Sequence, residues 1–235
     1  MEQERYDLTG SLLRWYDYNK RILPWRENKD PYRIWVSEIM LQQTRVEAVK
    51  PYFDRFMEAF PEVQDLAEAD DERLMKMWEG LGYYNRARNL KAAARKIVNE
   101  YDGKIPGDYD ALLSLNGIGT YTAGAIGSIA FDLQVPAVDG NVMRVLSRLW
   151  GDDSDILKEK TKREMGKRIQ AYIPKDRPGD FNQALIELGA IVCIPNGKPL
   201  CDRCPWDTVC RAYREDRIPG HFPVRDGLLY GQPLF

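Results

Sequence analysis

Residues 115–126 read LNGIGTYTAGAI, and the fold turns on what the two glycines do there. Gly117 and Gly119 permit a tight turn with exposed backbone N–H groups, and the apolar stretch after it has the spacing of a helix. Such a turn suits a phosphate oxygen, because unpaired amides and the positive end of the helix dipole meet at a helix start. A plain helix-to-helix turn uses glycine in the same way, so the stretch alone leaves both readings open.

The surrounding chain is helical by the same criteria. Apolar residues recur at three- and four-residue spacing, whereas alternating runs of Val, Ile and Thr are nearly absent. The pattern predicts an all-α protein with helices over 6–20, 31–47, 48–59, 71–79, 83–100, 108–114, 119–131, 140–150, 156–172 and 179–192. After residue 217 the sequence IPGHFPVRDGLLYGQPLF loses helical periodicity and reads as a linker or tail. With 235 residues, 44% of them apolar, the chain can bury one large core or two smaller ones. The opening MEQERYD and the weakly polar run AGAIGSIAF carry no secretory or membrane-spanning signal, so a cytoplasmic location without membrane contact is expected. A formal net charge of −2 gives no global attraction to a polyanion, and any nucleic-acid site must be a local patch.

One local patch lies on the helix predicted at 83–100. Ala87, Leu90, Ala94 and Ile97 would face a core, while Arg88, Lys91 and Arg95 share another face with Arg86 and Lys96 nearby. A solvated surface helix has the same appearance, so a phosphate-binding role needs independent support.

All four cysteines, Cys193, Cys201, Cys204 and Cys210, fall in GAIVCIPNGKPLCDRCPWDTVC. Their clustering argues for one metal site, and disulfides are not expected without a secretion signal. Spacing alone fits a four-cysteine zinc site, the commoner kind, or an iron–sulfur cluster.

The stretch WVSEIMLQQT, residues 35–44, sets Glu38 among apolar neighbours, four residues after Ile34 and three before Leu41. A carboxylate at a helix surface, or one satisfied by a buried partner, explains this without chemistry. The alternative is a carboxyl kept protonated by burial. Lifting its pKa from about 4.3 to near 7 takes roughly 3.7 kcal/mol of environmental bias.

Together, PWR at 24–26, SEIMLQQT at 37–44, GLGYYNRARNL at 80–90, LNGIGTYTAGAI and VDGNVMRVLSRL at 138–149 resemble the helix-hairpin-helix DNA glycosylases, and most closely the MutY-type adenine enzymes. The string LxGxGxxTA is far more specific than a bare GxG, and the resemblance runs from about residue 10 to 216. It implies a [4Fe–4S] cluster at the four cysteines. The family pattern is usually C-x6-C-x2-C-x5-C, and here the first gap holds seven residues, which puts the shape of that loop in doubt more than the ligation. Lys198 is the loop residue expected to face the DNA backbone.

The resemblance also implies roles. Glu38 would protonate N7 of adenine, and Asp139 would stay ionised and steady the oxocarbenium-like sugar, the two-carboxylate logic of glycoside hydrolysis. Asp139 also reads as a plain N-cap, and the two roles are compatible. Related enzymes that cut the strand attack the sugar with a lysine where this chain has Tyr121, and a phenol forms no Schiff base, so a monofunctional enzyme is expected. Tyr121 and Asn141 would orient the water or the sugar intermediate. The base must be flipped out, with Gln43 and Tyr83 as wedges. Arg21, Trp25, Arg26 and Gln183 match the adenine pocket, although Trp25 alone would more often anchor a core. Gly117, Gly119, Arg86 and Arg88 would meet the phosphates.

The expected architecture is two helical lobes with a DNA cleft between them: a six-helix barrel with the hairpin over 28–134, and a cluster lobe from 1–27 plus 135–217. The implied partner is double-stranded DNA holding adenine opposite 8-oxoguanine or guanine, bound by a monomer. The family's C-terminal 8-oxoguanine-recognition domain has no counterpart in the chain, so weaker discrimination of 8-oxoguanine from guanine is expected. Two alternatives stand: a thymine or uracil mismatch glycosylase, and a non-catalytic DNA-binding module stabilised by metal.

Overall fold

The computed structural model describes residues 7–217 and shows α-helices with short 3-10 turns, with no strand among the described residues. In chain order the helices are α1 Leu8–Asn19, α2 Pro31–Leu41, α3 Val46–Ala59, α4 Val63–Glu68, α5 Asp71–Trp78, α6 Asn85–Glu100, α7 Tyr109–Leu113, α8 Thr120–Phe131, α9 Gly140–Trp150, α10 Glu159–Gln170, α11 Pro178–Ile191 and α12 Arg211–Arg214. Single 3-10 turns cover Pro24–Arg26 and Cys201–Arg203.

Aspartates punctuate these helices. Asp7, Asp30, Asp70, Asp108 and Asp139 each precede a helix and accept a backbone N–H of its first turn, satisfying donors that have no partner within the helix. At the other end of α9, Gly151 takes φ +62° and closes the helix, a conformation that costs glycine little.

The helix predicted over 31–47 stops at Leu41, and Gln42 to Arg45 form a turn before α3. No Gly or Pro signals that stop; a side chain from α6 takes up the last carbonyls of α2. The six residues of α4 were absent from the periodicity because one and a half turns present too few positions. Their local signature is a capping box, in which Glu62 and Asp65 satisfy each other's backbone N–H groups.

The chain divides into two compact units, Ile22–Phe131 and the chain up to Arg21 together with the chain from Asp132 onward. The expected tail at 218–235 lies outside the described residues.

The first unit holds α2 to α8. Its core includes Trp35, Phe53, Phe56, Phe60, Leu66 and Trp78, all buried. α2 lies at its centre and packs on α3, α6 and α8, so eight of its eleven residues are buried. A helix enclosed on several sides buries whatever it carries, including its one acid, Glu38.

The second unit holds α1 and α9 to α12. Here α11 packs on α1 and α9, around Leu12, Tyr16, Leu146, Phe181, Leu185 and Leu188. Trp206 completes this core and donates Nε1–H to Leu8 O at 3.0 Å and Ser11 Oγ at 3.2 Å. The cysteine-bearing segment is thereby fastened to α1.

Candidate functional site

Asp139 sits at the start of α9, on the second unit. Its Oδ1 accepts the Val142 N–H at 2.8 Å and its Oδ2 accepts the Asn141 side-chain amide at 2.8 Å. Asn141 Oδ1 in turn accepts from Arg144 Nη2 at 2.8 Å, and the same nitrogen reaches Gly189 O at 2.8 Å. Arg144 Nε donates to Cys193 O at 2.9 Å, so a buried arginine joins the Asp139 turn to the first cysteine. The residue is partly exposed, but its carboxyl is packed deeply enough that desolvation raises its pKa above the ordinary carboxylate value. The Val142 and Asn141 hydrogen bonds and the Arg144 charge oppose that rise without cancelling it. The expected stabilisation by helix-start donors is therefore present, and burial outweighs it.

The approach to Asp139 is also fixed. Asn182, on α11 and 1% exposed, accepts the Ala137 N–H at 3.0 Å and donates to Val135 O at 2.9 Å. Arg144, Arg148 and Asn182 were not singled out from the sequence. The available signal was the spacing of Arg144 and Arg148, one helical turn apart within the apolar string VMRVLSRLW.

The four cysteines, all free, line one pocket together with Arg148, Val192, Pro199, Asp207 and Tyr213. Arg148 Nη1 lies 3.2 Å from Cys193 Sγ and donates to Ile194 O at 2.9 Å. Burial pushes the Cys204 thiol up to about 12 and Cys201 up to about 11, and each thiolate would repel the others. The long first gap is closed at its base by Leu200 N–H to Val192 O at 3.0 Å, and Gly197 turns the loop at φ +76°. The seventh residue is absorbed there while the flanking cysteines stay on the pocket. Lys198 is exposed on this loop.

On the first unit, Glu38 is 8% exposed on α2. The turn after α2 carries Gln43 at φ +58°, and the turn before α6 carries Tyr83 at φ +48°, a residue 55% exposed. At the α7–α8 turn Gly117 takes φ +78°, and a Cβ there would come 3.0 Å from Asn89 Cβ, so glycine is required. Gly119 opens onto space, with nothing within 4 Å of a Cβ. Tyr121 follows in the first turn of α8, half-buried.

The basic face predicted on α6 is largely spent within the protein. Arg86, expected at the phosphates, is buried at 9% exposure with its guanidinium on backbone carbonyls. Lys91 is buried and paired with Asp71; Arg95 donates to Ala67 O at 3.1 Å and Lys96 to Ser114 O at 3.0 Å. Helical periodicity placed these residues together but could not show that Arg86 and Lys91 are buried while Arg95 stays exposed. Arg88 stays exposed, bonded to Asn85 Oδ1 at 2.9 Å.

The predicted base-pocket residues fall on both units. Arg21 clamps buried Glu187 through Nε and through Nη2, the latter at 3.1 Å, and Gln183 lies one turn before Glu187 on α11. Trp25 is buried edge-on against Phe53, ring centroids 5.5 Å apart, and Arg26 is half-buried beside it in the 3-10 turn.

A family model for HhH-GPD superfamily base excision DNA repair proteins matches residues 36–171. The adenine DNA glycosylase of Mus musculus is 47% identical over 214 residues, which is 87% of this chain and 41% of the mouse protein. That of Buchnera aphidicola subsp. Schizaphis graminum is 38% identical, covering 89% of this chain and 60% of its own length. The chain thus spans about two fifths to three fifths of these curated relatives. Among solved structures, a thermostable thymine-DNA glycosylase superposes with TM-score 0.80 at 30% identity, over 88% of this chain and 95% of that one. A trapped endonuclease III–DNA covalent intermediate superposes with TM-score 0.73 at 25% identity, over 88% and 94%.

Proposed function

This chain belongs to the HhH-GPD superfamily of base excision DNA repair proteins, and from that premise we propose that it is a monofunctional DNA glycosylase, acting as a monomer on adenine opposite 8-oxoguanine or guanine. The observation that carries the reading is Asp139, a desolvated carboxyl held by two donors at the mouth of a helix. An acid buried at that expense needs a use, and an oxocarbenium-like sugar is a cation it can steady. Asn141 orients it. Glu38, buried on α2, serves as the proton donor to the departing purine. Tyr121 has no amine with which to open the sugar, so hydrolysis leaves an abasic site.

DNA contacts follow from the exposed groups. The open Gly119 amide region of the α7–α8 hairpin, Arg88 and Lys198 are available to phosphates, and Gln43 and Tyr83 stand at outward turns suited to filling the space of a flipped base. Adenine is favoured over thymine because the identity to the adenine enzymes reaches 47%, against 30% for the thymine enzyme. The latter keeps thymine or uracil as the second reading.

The cysteine pocket fits a [4Fe–4S] cluster. Four soft thiol donors with a nearby arginine supply its ligands and offset its charge. Cys193, Cys201, Cys204 and Cys210 would hold it. Bound there, it would tie Cys193, just after α11, to the loop that carries Trp206.

The test is incubation of metal-replete protein with duplexes holding adenine opposite 8-oxoguanine or guanine, and thymine or uracil opposite guanine. Adenine release with strand breaks only after alkali is expected. Release of thymine or uracil alone would establish the second reading, and tight binding without release would make the chain a binding module.

A further inference from the structure

Among the non-glycine residues of the first unit at positive φ are Gln43 at +58° and Tyr83 at +48°, each in its own turn. Side chains with a Cβ adopt this region at a cost, and keep it where the surroundings over-determine it. One group surrounds both turns. Arg86 Nη1 donates to Ile39 O at 2.9 Å, to Met40 O at 2.8 Å and to Gln42 O, while Nη2 donates to Thr44 Oγ1 at 3.2 Å, Leu81 O at 3.0 Å and Gly82 O at 3.3 Å. The first four acceptors end α2 and form the Gln43 turn; the last two lead into Tyr83.

The second turn is also tied to the arginine by its backbone and its ring. Arg86 N–H donates to Tyr83 O at 2.9 Å, and the guanidinium carbon lies 5.6 Å from the Tyr83 ring centroid and 5.4 Å from that of Trp78. Trp78 Nε1 donates to Gly82 O at 3.1 Å, backing the same turn. Burial draws the Arg86 pKa down to about 10, so the group stays charged at neutral pH. A planar fork with donors on both nitrogens can span two turns, whereas a lysine ammonium is a single point.

We propose that Arg86 is a positioning residue for base flipping, locking the Gln43 and Tyr83 turns into one preorganised pair so that both side chains enter the duplex together. The inference rests on the wedge roles proposed above for Gln43 and Tyr83. Two loosely held turns would each pay their ordering cost at the moment of insertion, and a shared clamp pays it on folding instead.

The experiment compares the metal-replete wild type with Arg86→Lys and with Thr44→Val, which keeps side-chain shape and removes one acceptor. Amide exchange of the free protein at 41–44 and 81–84 is expected to quicken in both segments by about tenfold or more in Arg86→Lys, and to a lesser degree in Thr44→Val. The fluorescence rise of 2-aminopurine placed at the adenine position of a duplex should fall by about half or more, with duplex affinity changed less than about threefold. Faster exchange in only one turn, or an undiminished fluorescence rise in Arg86→Lys, would overturn the role of Arg86 alone. A wild-type protein giving no rise would overturn the flipping assignment and this role with it.

Discussion

Asn141 faces Asp139 with its amide nitrogen because Arg144 occupies its oxygen. A guanidinium can only donate, so the orientation of Asn141 is fixed and Asp139 must accept. Asp139→Asn places a second amide opposite the first and breaks one of the two bonds. Base release is expected to be lost while the fold survives. The pH dependence has a definite sign. Burial raises the folded-state pKa of Asp139, so its contribution to stability is full below the unfolded value of about 3.9 and is lost as pH rises through the folded pKa. Urea unfolding of both proteins from acid to neutral pH should show the wild type losing stability relative to Asp139→Asn as pH rises.

Gly189 on α11 lets the α9 turn approach. A Cβ at Gly189 would lie 2.7 Å from Asn141 Cβ and 3.1 Å from its backbone oxygen. Gly189→Ala should therefore displace Asn141, costing about 1–3 kcal/mol as overpacked cores do. Single-turnover base release, measured well below the melting temperature, should fall further than the lost stability explains. Gly166→Ala is the control. Its Cβ would meet only Pro136 and Val138 side-chain carbons at 3.7 Å, and inside α10 it should be neutral or stabilise by about 0.5–1 kcal/mol.

These two glycines also mark what a sequence can tell. Helix existence was legible wherever three or more turns repeated the apolar spacing, as in α3, α6 and α11, and Asp139 could be read as an N-cap because its residue type acts locally. The fate of Arg86 was not legible. Its position on the polar side of α6 is a local property, but three of the carbonyls it satisfies, those of Ile39, Met40 and Gln42, lie at the end of α2, more than forty residues earlier. Arg144 was hidden for the same reason, since its partners include Gly189 and Cys193. Local chemistry survives translation into pattern, and long-range satisfaction of buried charge does not.

Glu38→Gln separates binding from chemistry. The amide has nearly the shape of the acid, and α2 is held by contacts with three helices, so the first unit should fold unchanged. The variant cannot protonate a leaving base. Duplex affinity is expected to stay near wild type, while base release falls by about 10²- to 10⁴-fold, the usual contribution of a general acid. Undiminished release would remove Glu38 from the mechanism.

Loss of the metal should divide the protein along its two cores. Every cysteine lies in the second unit, and the segment between Cys204 and Cys210 carries Trp206, whose indole is 1% exposed and bonded to Leu8 O and Ser11 Oγ. Without a group to hold the thiols, burial keeps those of Cys201, Cys204 and Cys210 neutral, and the fastening of that segment to α1 weakens. The first unit has a separate aromatic core that includes Phe53, Phe56, Phe60 and Trp78. Removal of the metal by oxidation and chelation is therefore expected to turn one cooperative melt into two, the earlier one belonging to the second unit. Amide exchange assigns each transition: α1 and α11 should lose protection first, with α2 and α6 retained. Iron and acid-labile sulfide released in the same step would identify the cluster, whereas zinc alone would assign the pocket to a single ion.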